Sequence, residues 1–270
     1  MGGMTIGQFF PGETFIHKLD PRMKLILTTV YIVMLFLAGN IWALLVGVVF
    51  LLVAYPVSRL SWTMVMRSVR PIFIIISITA VLNMFFVGGE VLWSWWILQI
   101  TDQGVYNAIM IVLRIISLVV GTSLLTYTTS PIALTDAIER LLNPLKKLKM
   151  PVHELAMMMT IALRFIPTLM EETEKIMSAQ KARGADMESG HLMQRIKALV
   201  PILVPLFVAA FRRADELALA MVCRCYHGGE GRTRMTILTM SWRDWAAALF
   251  MAVLLAAVIC LNTLPGWSMR

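Results

Sequence analysis

Charge is scarce in this chain: 15% of its 270 residues are Asp, Glu, Lys or Arg, against 59% that are hydrophobic. That balance excludes an ordinary soluble domain, in which roughly 25% of residues are charged. Cysteine is scarce too, with three residues, which excludes a disulfide framework. Cys223 and Cys225 stand beside His227, but helical residues two apart point about 200° from one another, so no metal site is expected. The histidines at 17, 153, 191 and 227 are scattered. No Ser, His and Asp grouping suggests a hydrolase, so no catalytic residue is assigned and no enzyme is expected. The glycine cluster Gly228-Gly229-Glu230-Gly231-Arg232-Thr233 lacks the spacing of a phosphate loop and follows no buried-strand pattern. Met1 to Phe10 has neither a charged region nor an apolar core of its own, so no cleavable leader is expected.

What the chain has is long apolar runs, near 25–38, 41–55, 71–87, 105–127 and 245–264. With their flanks these reach spanning length. The first is short, and is expected to start its helix near Pro21 with Arg22 and Lys24 snorkelling to the surface. Net charge is +8, and its placement predicts a topology. Lys18, Arg22 and Lys24 put the N-terminus in the cytoplasm by the positive-inside rule. Gly39-Asn40 reads as an outer turn, and Arg59, Arg67 and Arg70 mark a return inside. Gly88 to Gln103 has no Lys or Arg but holds Trp93, Trp95 and Trp96, so it reads as an outer loop with an aromatic belt. Fifteen of the 24 basic residues fall in 131–235, after which the last span carries the C-terminus outside. The expectation is a multi-pass, all-α membrane protein: about five transmembrane helices plus long cytoplasmic amphipathic helices. Its parts are residues 1–130 (spans one to four), 131–235 (the cytoplasmic helices) and 236–270 (the last span). The positive charge contacts the lipid bilayer, and nucleic acid is not an expected partner because no recognition module accompanies it. Arg114 lies inside a span. Such a charge is functional by default, or else it snorkels or caps a polar pocket.

Residues 131–235 mix apolar stripes with charges. Ser130-Pro131 reads as a helix start and Asn143-Pro144 as its stop. A longer helix is expected from Met150-Pro151 to Ala182, bent at Pro167 and ended by Gly184 in a left-handed cap. A second follows the Ser189-Gly190 break and runs to Arg224. Both read as too apolar for water and too charged to span. Nine of the 21 methionines lie between Met150 and Met221, either as gap-fillers in a helical core or as an adaptable binding surface.

Two arginines stand out there: Arg183 in Gln180-Lys181-Ala182-Arg183-Gly184 and Arg224 in Val222-Cys223-Arg224-Cys225, 41 positions apart. Each has an apolar residue seven positions upstream (Ile176, Leu217), another at fourteen (Leu169, Ala210), and an acid at nine (Glu174, Asp215). Each therefore projects from the end of an apolar stripe. One device built twice suggests two similar partners.

Taken together, these features resemble the transmembrane component of energy-coupling factor transporters, prokaryotic importers of vitamins and micronutrients. The motifs are Pro11-Gly12 with Leu19-Asp20-Pro21-Arg22-Met23-Lys24, Thr128-Thr129-Ser130-Pro131, Ala162-Leu163-Arg164-Phe165-Ile166-Pro167, and the two arginine signatures with their glycine-rich tail. Cys225 stands where the family pattern has glycine, which argues against close backbone approach at the second tip while leaving its charge contact intact. The resemblance implies a coupling subunit. Two ABC-type ATPase subunits would be gripped at Ala182, Arg183, Gly184 and at Cys223, Arg224, Cys225. A small membrane-embedded vitamin-binding (S) subunit would sit on the apolar faces of 151–183 and 195–224, at Met157, Met158, Leu203 and Phe207. No cofactor would be bound directly, because ATP is used by the partner ATPases. The competing reading, a stand-alone secondary transporter, requires a substrate site near the bilayer midplane, for which Arg114 alone is thin support.

Overall fold

A computed structural model describes residues 9–89, 91–95, 98–148, 150–184, 192–228 and 238–263. The Ser189-Gly190 break, most of the glycine cluster after Gly228, Trp96 and the first eight residues lie outside the described residues. The chain divides within one helix into two compact units, residues 1–137 with 237–270, and residues 138–236.

The first unit contains α1 (Pro21–Leu37), α2 (Ile41–Val57), α3 (Trp62–Val69), α4 (Phe73–Phe86), α5 (Asp102–Thr128), the start of α6 (Pro131–Leu142) and α9 (Trp242–Thr263). Helix α5 packs against α1, α2, α3 and α4, while α9 packs against α1 and α2. Among the described residues each expected apolar run is helical over most of its length. Counting α3 and α4 as one stretch from Trp62 to Phe86, that stretch, α5 and α9 are long and apolar enough to cross a membrane. Helices α1 and α2 have 17 residues each, the lower end of spanning length. Arg67 and Arg70 lie on helical backbone that leads through a 3-10 turn at Pro71 into α4. The loop after Val87 contains a small antiparallel hairpin, β1 (Val91–Trp95) and β2 (Leu98–Thr101), because its β-branched and aromatic residues suit a pleated ribbon. Thr101 then caps α5 by accepting the Gly104 N–H at 3.0 Å.

The core is formed by Tyr31, Met34 and Leu35 of α1 with Leu44, Leu51 and Tyr55 of α2, Val120 and Tyr127 of α5, and Met251 and Val258 of α9. Tyr31 enters it because residue 121 is glycine: a Cβ there would overlap the Tyr31 ring. Small residues of this kind let membrane helices approach closely. The Tyr55 hydroxyl donates to the Val120 carbonyl at 3.0 Å, so the buried polar atom is satisfied.

Polar clamps close both ends of this bundle. At one end Asp20 caps α1, accepting the Arg22 N–H at 2.9 Å, so the helix starts at Pro21 as expected. Lys24 does not snorkel. It is 6% exposed, and its ammonium donates to the carbonyls of His17 (3.0 Å) and Thr128 (2.8 Å). Asp244, 1% exposed, accepts the Asp20 N–H at 2.8 Å and the Ser241 N–H at 2.7 Å. Arg22 reaches the Leu238 carbonyl at 2.8 Å. The opening motif thus ties α1 to the end of α5 and the start of α9, with two acids balancing two bases so that no buried charge is left alone. At the other end Arg114 donates to the Ala38 carbonyl at 2.6 Å, capping α1; this is the capping alternative for that residue, achieved on a helix end. Asn262 brackets the same turn, bonding Gly39 N–H and the Leu37 carbonyl.

Candidate functional site

The second unit is built on α7 (Val152–Ala182) and α8 (Leu192–Cys223), which pack on one another. Both stay helical through their internal prolines, Pro167 in α7 and Pro201 and Pro205 in α8. Residues 155–170 carry one charge, Arg164, and α7 joins the helices long and apolar enough to cross a membrane. Its charges concentrate in its second half, from Glu171 onward, so the apolar half and the charged half of α7 follow one another along the helix.

Two contacts fix the direction of the pair. The Arg213 guanidinium donates to Glu172 Oε2 at 3.0 Å, and Gln180 Nε2 donates to the Pro201 carbonyl at 3.4 Å. Moving forward along α7 from 172 to 180 moves the contact back along α8 from 213 to 201. The helices run in opposite directions. Arg183 and Arg224 therefore sit at opposite ends of the pair, each eleven residues beyond the Glu172–Arg213 contact, about 16 Å of helix at ~1.5 Å per residue.

Each tip is a helix C-cap with the same backbone plan. The Arg183 N–H donates to the carbonyls of Ala179 and Gln180, and the Gly184 N–H to Lys181. The Arg224 N–H donates to Ala220 and Met221, the Cys225 N–H to Val222 at 2.9 Å and the Tyr226 N–H to Met221 at 3.0 Å. The last two bonds are the pair that defines a Schellman cap. Gly184 has φ +83 and Cys225 φ +54. Cys225 has therefore entered the left-handed region that its side chain was expected to resist, and the second tip keeps the backbone shape of the first. The six-residue hydrogen-bonded closure repays the modest strain of a non-glycine residue there. Ala182, Arg183, Gly184, Cys223, Arg224 and Cys225 are all exposed, and both tip cysteines are free thiols. Among the described residues no group of three His, Cys, Asp or Glu side chains is placed to hold a metal.

The stripes behind the arginines face inward: Leu169, Ile176, Ala210 and Leu217 are half-buried, while Glu174 and Asp215 are exposed. Met158 (54%), Leu203 (45%) and Phe207 (58%) are exposed, and Met157 is half-buried. Leu203 and Phe207 share one open apolar face of α8 with Val200, Val204 and Phe211, spaced by three and four residues as one helix face requires. Two features escaped sequence reasoning. The Glu172–Arg213 pair was signalled by Glu171-Glu172 and Arg212-Arg213 standing 41 apart, and the buried role of Asp244 by the capping-box spacing Ser241-x-x-Asp244.

The chain matches the family described as cobalt transport protein over residues 12–237. It is 55% identical to the energy-coupling factor transporter transmembrane protein EcfT of Clostridium kluyveri, over 97% of this chain and 96% of that one. It is likewise 55% identical to the protein of the same name from Thermosediminibacter oceani, over 96% and 97% of the two chains. With the Bacillus subtilis protein of that name the identity is 45%, over 97% and 99%.

Proposed function

This chain belongs to the family of energy-coupling factor transporter transmembrane proteins, and we propose that within it the protein is a mechanical link. It would join two cytoplasmic ABC-type ATPase subunits to a separate small membrane protein that binds a vitamin or micronutrient. The observation that carries this reading is the antiparallel α7–α8 pair with an exposed arginine cap at each end. Two like tips separated by up to about 33 Å of helix cannot enter one groove, so they call for two similar receptors. A guanidinium suits the task because its planar fork makes several charge-assisted bonds at once. Closure of the ATPases on binding ATP moves the tips, and the helix pair passes that motion to the membrane subunit. This chain itself hydrolyses no ATP and holds no cofactor of its own.

Purification from native membranes tests the proposal: the tagged chain is expected to bring down two ATPases and one small hydrophobic protein. A chain that purifies alone and still supports uptake would favour a stand-alone secondary transporter. The open apolar face of α8 and the neighbouring methionines of α7 suit the small subunit, since apolar side chains spaced along one helix face offer packing contacts to an apolar partner. Met158→Glu or Leu203→Glu is then expected to release that subunit while both ATPases stay bound. Loss of the ATPases alone would reassign the face.

The same proposal places the N-terminus and both arginine tips in the cytoplasm and the C-terminus outside, as the distribution of Lys and Arg directs. A tag inserted between Gly88 and Gln103 is expected to react with an impermeant label on intact cells. Tags near Met187 or Gly229 are expected to react only after lysis, and labelling of either in intact cells would overturn the arrangement.

A further inference from the structure

We propose that Glu172 and Arg213 are the fulcrum on which the two coupling arms tilt, a positioning pair for energy transfer that rests on the coupling reading above. The argument begins with the repeat. Helix α7 runs from 152 to 182 and α8 from 192 to 223, so the 41-residue offset that relates the arginines maps one whole helix onto the other to within a residue. The hydrogen bond from Arg213 to Glu172 also joins residues 41 apart. It therefore connects the same position of the two copies. In an antiparallel pair of repeats, a position meets its own counterpart only where the local two-fold axis passes. That contact marks the crossing, and the arginine tips lie the same eleven residues beyond it on either side. The arms are of equal length.

Charge supports this placement. A residue on a two-fold axis faces its own copy, so a repeated charge there repels. Near the crossing the copies have inverted their signs: Glu171-Glu172 against Arg212-Arg213, and Lys175 against Glu216. Elsewhere the copies keep the sign in Glu174 with Asp215 and in Arg183 with Arg224, all of them exposed, whereas the inverted pair Glu172 and Arg213 is the one joined by a hydrogen bond.

The nature of the contact suits a moving joint. Its side chains are 28% and 30% exposed, so the pair can change angle without carrying a charge into dry surroundings. The apolar stripes on either side remain free to slide over a short range, while the ion pair opposes slippage along the helix axis. Reciprocal movement of the tips is then delivered to the membrane face instead of being lost as translation.

The test uses the assembled transporter in liposomes. The variants are Glu172→Gln, Arg213→Gln, Glu172→Arg and the swap Glu172→Arg with Arg213→Glu. The readouts are ATPase attachment, uptake, and ATP hydrolysed per substrate delivered. All variants are expected to keep both ATPases, because both tips are intact. The glutamine variants are expected to raise the ATP hydrolysed per substrate about two- to fivefold, the range a half-exposed ion pair commands. Glu172→Arg, which sets two guanidinium groups face to face, is expected to raise it further, and the swap to return it to near the wild-type ratio. A pair that merely stabilised the helices would lower uptake and hydrolysis together and leave the ratio unchanged, which overturns the fulcrum. A swap no better than its single variants overturns it as well. Failure of the coupling reading shows separately, as a wild-type complex without ATPases, and the fulcrum falls with it.

Discussion

Arg183→Ala combined with Arg224→Ala is expected to abolish stable attachment of the ATPases while the chain still inserts in the membrane. Each guanidinium stands exposed at a helix end, and in the assembled transporter each would be desolvated in a receptor groove. Truncating one side of such a contact costs about 2–5 kcal/mol, much of it from partner groups left unpaired. An arginine that served only its own helix C-terminus would contribute roughly 0.3–1 kcal/mol. These ranges do not overlap, so the experiment decides between them. Either single substitution is expected to impair uptake strongly, since one arm loses its grip while the other holds. Arg→Lys at either tip should restore uptake in part, because the charge returns and the planar fork does not. Normal uptake with intact co-purification in the double variant would leave the tips without a coupling role.

The membrane helices were legible because an apolar run of spanning length has few alternatives once the backbone must satisfy itself in lipid. The ends of the two helices were legible at Arg183 and Arg224, the first from Gly184 standing one place beyond the helix. Their opposite placement was not. It depends on the pairing of Glu172 with Arg213 and of Gln180 with Pro201, and periodicity within a helix says nothing of the direction of its neighbour. Cys225 was misjudged for a related reason. Intrinsic preference disfavours its left-handed backbone, but the bond from the Tyr226 N–H to the Met221 carbonyl closes the cap and overrides a penalty of that size. Lys24 was misjudged because snorkelling is the default for an isolated lysine near a helix end. Its carbonyl partner at Thr128 lies 104 residues away. The acid that completes the clamp, Asp244, lies 224 residues from the backbone N–H of Asp20 that it accepts.

That clamp carries the second large effect. Asp244→Ala is expected to destabilise the chain by about 3–5 kcal/mol, the cost of breaking a buried, hydrogen-bonded charge network from one side. Its carboxylate is 1% exposed and accepts two backbone N–H groups, from Asp20 and from Ser241. Removing it takes the partner from a buried donor, the Asp20 N–H, and from a part-buried one, the Ser241 N–H, and takes away one of the two anions that balance Arg22 and Lys24. At roughly 2–4 °C per kcal/mol for a chain of this size, the thermal midpoint in detergent is expected to fall by about 6–20 °C. Asp244→Asn keeps a carbonyl oxygen for one of the two donors but no charge, so its midpoint should fall between those of the alanine variant and the wild type. It also gives a reading if the alanine variant fails to accumulate. Asp215→Ala supplies the control, since that carboxylate is exposed and exposed substitutions generally stay within about 0.5 kcal/mol. A midpoint for Asp244→Ala indistinguishable from that of Asp215→Ala would mean that the clamp is decoration on a bundle held by its apolar core. A large fall instead explains why an acid, a proline and two bases open this chain together. Asp20 and Pro21 start α1, Arg22 reaches the approach to α9, and Lys24 fastens the end of α5.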